Sequence, residues 1–188
     1  LLQAVSCWDG LNDMFDKNVP NTVQPETEPD PVPDDPIPDD PGVSIKFIES
    51  SISAGGISIC WEDPVSVVEY DHIQAEYSSG SPVSLSSGTV KFNATGLNSS
   101  TEYTVTIQAI GSDGYPKAKS SFKVTPSGAY TLRFVYTAAE LDSVRNNPGD
   151  YYIMMNDIDL SGYANWTPVG TGGTPFSGIL DGQGYGIR

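Results

Sequence analysis

Few residues in this chain have the type and spacing to do chemistry. Asp157 and Asp159 are separated by one residue in the run 156–160, so a strand there would turn both carboxylates to one face. A facing pair of carboxylates is one way to build a general acid beside a general base. The sequence offers no second strand to complete such a site, and carboxylates at early positions of this kind commonly bond turn backbone, so the pair is expected to be structural. Asp181 precedes Gly182 and reads as a turn residue. His72 is the only histidine, with no nearby Cys or second His to complete a metal site, and is expected to face solvent from a strand. The Asp34-Asp35 and Asp39-Asp40 pairs could be cast as calcium ligands, but no fixed turn gathers them around one ion. No catalytic, cofactor-binding or metal-ligating residue is assigned, no cofactor is expected, and the chain is expected not to be an enzyme.

The two cysteines occupy different settings. Cys60 lies in the apolar run 57–61 and reads as a small buried apolar residue. Cys7 closes Leu1-Leu2-Gln3-Ala4-Val5-Ser6-Cys7, which resembles the end of a bacterial lipoprotein signal peptide. Small side chains at Ala4 and Ser6 suit the shallow pocket of a signal peptidase. The strictest form of the motif prefers Leu where Ala4 stands and Gly or Ala where Ser6 stands. The resemblance implies a diacylglycerol on the Cys7 thiol and an acylated amino terminus, hence a stable hold on a membrane through several chains. It places the protein in a bacterial cell envelope, lipid-anchored and surface-exposed on the outer membrane, with residues 1–7 as the signal remnant.

The elements behind these residues begin with charge. The 188 residues carry a formal net charge of −15, which disfavours nucleic acid and electrostatic docking on anionic lipid. Between residues 18 and 42 eight prolines alternate with Glu26, Glu28, Asp30, Asp34, Asp35, Asp39 and Asp40. Proline removes backbone donors and extends the residue before it, while like charges repel along the chain. Little apolar surface is available to offset ordering, so residues 8–42 are expected to be a disordered acidic stalk.

Residues 43–127 read as a β-sandwich of about seven short strands. Ile57, Ile59 and Trp61 share one strand face, 70–77 forms another strand, Val90 and Phe92 lead into the next, and 101–110 alternates closely. Residues 111–114 (Gly-Ser-Asp-Gly) mark a hairpin tip before a final strand at 120–124. Gly96-Leu97-Asn98-Ser99-Ser100-Thr101-Glu102-Tyr103, with Leu and Tyr six residues apart, and Trp61 ahead of Asp63-Pro64 resemble the fibronectin type III family. The resemblance implies structural roles: Trp61 between the sheets, Leu97 in the core, and Tyr103 bonding through its hydroxyl to the corner backbone.

From residue 128 the pattern changes. Thr137 followed by Glu140 is a capping box, with Ala138, Leu141 and Val144 as the buried stripe of a short helix that ends at 146–149. Residues 156–160 (Asn-Asp-Ile-Asp-Leu) and 176–184 (Phe-Ser-Gly-Ile-Leu-Asp-Gly-Gln-Gly) resemble the opening of a right-handed parallel β-helix of bacterial surface proteins with Gly-rich repeats. A solenoid rung cannot bury its own face and needs stacked neighbours. Residues 128–188 are therefore expected to be the capping helix and first coils of such a β-helix, with further repeats beyond Arg188. The fold class is all-β throughout.

The reading that follows is a non-catalytic, cell-surface-tethered protein for display or adhesion, with the membrane as one partner through its lipid and an extracellular protein or glycan as another. The competing reading is the non-catalytic N-terminal region of a secreted β-helix polysaccharide lyase or glycoside hydrolase. Clustered Asp, Arg and Lys on later coils would favour the second.

Overall fold

A computed structural model describes residues 41–188; Cys7, the segment 1–7 and residues 8–40 of the stalk lie outside the described residues. Seven strands, β1 (Phe47–Ser53), β2 (Gly56–Trp61), β3 (His72–Tyr77), β4 (Val83–Ser86), β5 (Lys91–Thr95), β6 (Tyr103–Ile110) and β7 (Pro116–Val124), form two facing sheets. One contains β1-β2-β5 and the other runs β4-β3-β6-β7, all antiparallel. The inner faces follow the period of two: Ile57, Ile59 and Trp61 on β2, Ile73 and Ala75 on β3, Val105, Ile107 and Ala109 on β6 are all buried in one cluster.

Three more strands extend the first sheet: β8 (Tyr130–Val135), β9 (Tyr151–Met154) and β10 (Ile179–Asp181), giving the order β10-β9-β8-β1-β2-β5. β8 is antiparallel to β1 and parallel to β9, and β9 is parallel to β10. β8 is therefore the strand at which an antiparallel sheet becomes a parallel one. A bulge in β1 makes room for it. The register with β2 shifts between Ile48 and Ser51, and the hydroxyl of buried Ser50 donates to Ile48 O while accepting the Cys60 N–H. From Ser50, inside the bulge, onwards, Ser50, Ser51 and Ile52 pair with Leu132, Thr131 and Tyr130.

Between β8 and β9 lies α1 (Ala138–Ser143), continued by a 3-10 turn at Val144–Asn146. Thr137 caps α1 by accepting the Glu140 N–H, and the Glu140 carboxylate reaches back to the Tyr136 N–H and the Thr137 hydroxyl. Leu141 and Val144 are buried and Ala138 packs beside them, the stripe read from the sequence.

All four residues of β9 are buried because it separates two cores. Tyr151 and Ile153 join the sandwich cluster, while Tyr152 and Met154 join a second cluster with Val135, Leu141, Val144 and Ile158. Burying a large apolar side chain is worth about 1.5–3 kcal/mol, so each side of β9 contributes to holding it. The neighbour that this end of the chain needs is the sandwich itself. Two glycines permit close chain crossings. A Cβ on Gly55, at φ +79°, would lie 2.7 Å from Leu97 O, and one on Gly178 would lie 2.0 Å from Asp150 O.

Candidate functional site

Trp61 fills the sandwich core at 1% exposure, and its indole N–H has no hydrogen-bond partner among the described residues. Leu97 is half-buried and packs on that core, and its N–H donates to Gly55 O at 3.0 Å. The buried Tyr103 hydroxyl accepts the Asn98 N–H at 2.9 Å, so it ties the 96–100 turn to the start of β6. These three residues pack and tie the sandwich.

The remaining residues singled out from the sequence are not brought together. His72 is half-buried on β3, its Nδ1 3.0 Å from the Asp71 carboxylate. Cys60 is half-buried instead of core-packed, because the same period of two that turns Ile59 and Trp61 inward turns Cys60 to the outer face. Asp157 accepts the Gly186 N–H at 2.8 Å, with Arg188 at 3.8 Å from its other oxygen. Asp159 accepts the Ser161 N–H at 2.8 Å, and those bonds hold its carboxyl below the usual Asp range. Asp181 accepts from the Gln183 N–H and from the Tyr151 hydroxyl. Each of these acids is engaged in turn or strand contacts. Among the described residues no group of three or more His, Cys, Asp or Glu side chains could hold a metal ion.

Two surface features sequence reasoning did not single out. Glu69, Asp71 and Asp113 line an acidic bowl beside the β6–β7 hairpin, where Asp113 is ion-paired with Lys117 at 2.6 Å and held below the usual Asp range by it. The second feature is apolar. Leu141, Val144, Val169, Phe176 and Leu180 line a cavity of about 110 Å³ where the second core opens to solvent. Leu180 is 41% exposed and Ile187 is 47% exposed, with Tyr185 and Tyr163 at similar levels. Tyr163 meets Trp166 edge-on at 5.1 Å, and the Arg145 guanidinium lies 5.9 Å above the Trp166 ring. Arg145 also pairs with Asp142 and donates to Thr167 O, fixing the 161–176 loop against the helix. A surface of this kind is suited to apolar and stacking contact.

No family model matches the chain. A curated relative, a putative Gly-rich membrane protein of Evansella cellulosilytica, is 38% identical over 60 residues, covering 28% of this chain and 7% of that protein. The match thus spans a small part of the relative's length. No helix among the described residues is long and apolar enough to cross a membrane. Among solved structures, a two-domain fibronectin type III segment of chicken tenascin is 20% identical, with 50% of each chain covered and a TM-score of 0.37. The FN5 domain of Drosophila Lar is 21% identical over 46% of this chain and 97% of its own, TM-score 0.34. A Yersinia enterocolitica family 28 exopolygalacturonase is 11% identical over 63% of this chain and 30% of its own, TM-score 0.36. With β1-β2-β5 facing β4-β3-β6-β7 and the Tyr103 hydroxyl bonded to the turn before β6, strands β1 to β7 form a fibronectin type III-like sandwich.

Proposed function

We propose that the chain is a non-catalytic surface module, tethered through lipid on Cys7, lifted by the acidic stalk, and used for display or for binding an extracellular protein or glycan. One observation carries this reading: Asp157, Asp159 and Asp181 are engaged with turn and strand partners, while apolar and aromatic side chains stand exposed. Contact surfaces have that composition, whereas acid–base catalysis needs convergent titratable groups.

Within this reading residues 128–188 begin a parallel β-helix. Two separate ladders support it with nearly one period. Tyr151 pairs with Ile179, an offset of 28 residues, and Ile158 bridges Ile187 in parallel, an offset of 29. One coil of that length accounts for both. A further coil stacked on β10 would cover Leu180 and Ile187, as solenoid neighbours do.

The test is to express the gene from its natural start in a bacterial host fed a fatty-acid analogue, comparing wild type with Cys7→Ala. Label and detergent partitioning that vanish in the variant support the tether. An unlabelled wild type that stays in the aqueous phase overturns it.

A further inference from the structure

β7 is the edge strand of the second sheet, and an edge strand presents unpaired backbone donors and acceptors. Here those groups are engaged by two other parts of the chain. Near the middle of β7, the Lys119 N–H donates to Val43 O at 2.9 Å, and the Ser120 hydroxyl accepts the Ile45 N–H at 2.9 Å. At the far end, 60 residues away in sequence, the Gln183 side chain takes both backbone groups of Lys123. The Lys123 N–H donates to Gln183 Oε1 at 2.7 Å, and Gln183 Nε2 donates to Lys123 O at 3.0 Å. A carboxamide presents the same donor and acceptor as a peptide group, so Gln183 acts on β7 as one residue of a neighbouring strand would.

The backbone that carries this side chain is unusual. Gln183 is the only non-glycine residue at positive φ among the described residues, at +52°. That conformation is disfavoured for a residue with a Cβ and persists where its surroundings fix it. The fixing contacts are present: the Gln183 N–H donates to Asp181 Oδ1 at 3.0 Å, and the Tyr185 N–H donates to Gly182 O at 2.7 Å. Asp181 belongs to β10 and also takes the Tyr151 hydroxyl of β9. The turn is thus anchored in the first sheet while its side chain grips the second.

We infer that Gln183 is a strap: its carboxamide closes the outer edge of β7 at Lys123 and bolts the second sheet to the parallel strands, leaving no hinge between sandwich and parallel segment. Without it those strands would reach the second sheet through core packing and the short 125–129 connection. With it, force or ligand contact on the parallel segment reaches both sheets.

The test is amide hydrogen exchange by NMR on the full isotope-labelled chain. In Gln183→Ala the Lys123 amide should exchange at least about tenfold faster than in wild type, with the Lys119 amide, held by Val43, unchanged. Gln183→Glu keeps an oxygen to accept the Lys123 N–H and should hold most of the protection. Should Gln183→Ala fail to fold, Gln183→Gly accepts the left-handed backbone while removing the carboxamide, and should show the same loss at Lys123. Lys123 exchange that is equally fast in wild type and in the carboxamide-free variant overturns the strap.

Discussion

Replacing Ile153 by Ala tests whether the parallel strands are part of the sandwich or an appendage to it. Ile153 is fully buried, sits on β9 between Phe134 and Asp181, and packs in the cluster that holds Trp61 and Ile107. Truncating a buried Ile to Ala costs about 2–5 kcal/mol, and a site closed on both sides by strands has little room to collapse, so about 3 kcal/mol is expected. For a unit of this size each kcal/mol lowers Tm by about 2–4 °C, giving a fall of about 6–12 °C. Leu180→Ala, one strand over at 41% exposure, should cost under about 1 kcal/mol. The assay is thermal and denaturant unfolding of the full chain, followed by amide exchange at Val105 and Ile107 of β6 and at Tyr152 of β9. Protection should fall together in β6 and β9. If β6 amides keep their wild-type protection while β9 opens, the two regions are separate cooperative units and the shared-core argument fails.

Two further outcomes follow from single contacts. Tyr103→Phe removes the hydroxyl that accepts the Asn98 N–H and should destabilise by about 1 kcal/mol, rising towards about 3 kcal/mol if that N–H is left unsatisfied, as a denaturation midpoint would show. Alkaline pH should weaken the fold through three tyrosines. Burial, first of all, pushes Tyr151 up to about 12 and raises Tyr136 and Tyr152 as well, whereas an unfolded Tyr ionises near 10. Above pH of about 10 the unfolded chain therefore holds fewer protons than the folded one. Stability is intact below that pH and falls as pH climbs through 10 to 12. Each such Tyr takes up to about 1.4 kcal/mol per pH unit, read as a denaturation midpoint against phenolate absorbance.

What could be read beforehand was what repeats locally. Strands β2, β3 and β6 alternate inward and outward residues cleanly, and the capping box at Thr137 and Glu140 names its own helix. β4 was not legible, because Val83–Ser86 is short and largely exposed, and its one alternating pair, Val83 and Leu85, is too brief to mark a strand that is held by backbone pairing to β3. β7 begins at Pro116, four residues before the run at 120–124 suggests, since those residues carry Pro116, Lys117 and Lys119 on an edge strand. β8 alternates Leu132 and Phe134 with Thr131 and Arg133, yet its meaning lies in its partner β1, some eighty residues earlier. Gln183 gave no signal at all: a polar residue between two glycines is ordinary in a turn, and only the distant edge of β7 gives its carboxamide a task.

The joint between sandwich and parallel strands answers a physical difficulty on each side. A seven-stranded sandwich leaves β1 with an open edge, and a first parallel strand has nothing to pair with and no second layer to bury its faces against. β8 covers the edge of β1 and offers β9 a strand already held in place. Parallel pairing needs a long crossover, whose closure costs entropy before any contact is made. The crossover from β8 to β9 contains α1 and the 3-10 turn after it, which meet that cost by burying Leu141 and Val144 in one cluster with Tyr152 and Met154. Arg133 adds a polar tie across the same joint, bonding Glu49 of β1 at 2.7 Å and Asp150 before β9 at 2.6 Å. Such a joint transmits the sandwich's stability outward one strand at a time, and among the described residues β10 is the edge strand, paired to β9 alone. On that edge Leu180, 41% exposed, lies beside the second core, so its apolar surface is the part of the joint least covered by the strands already in place.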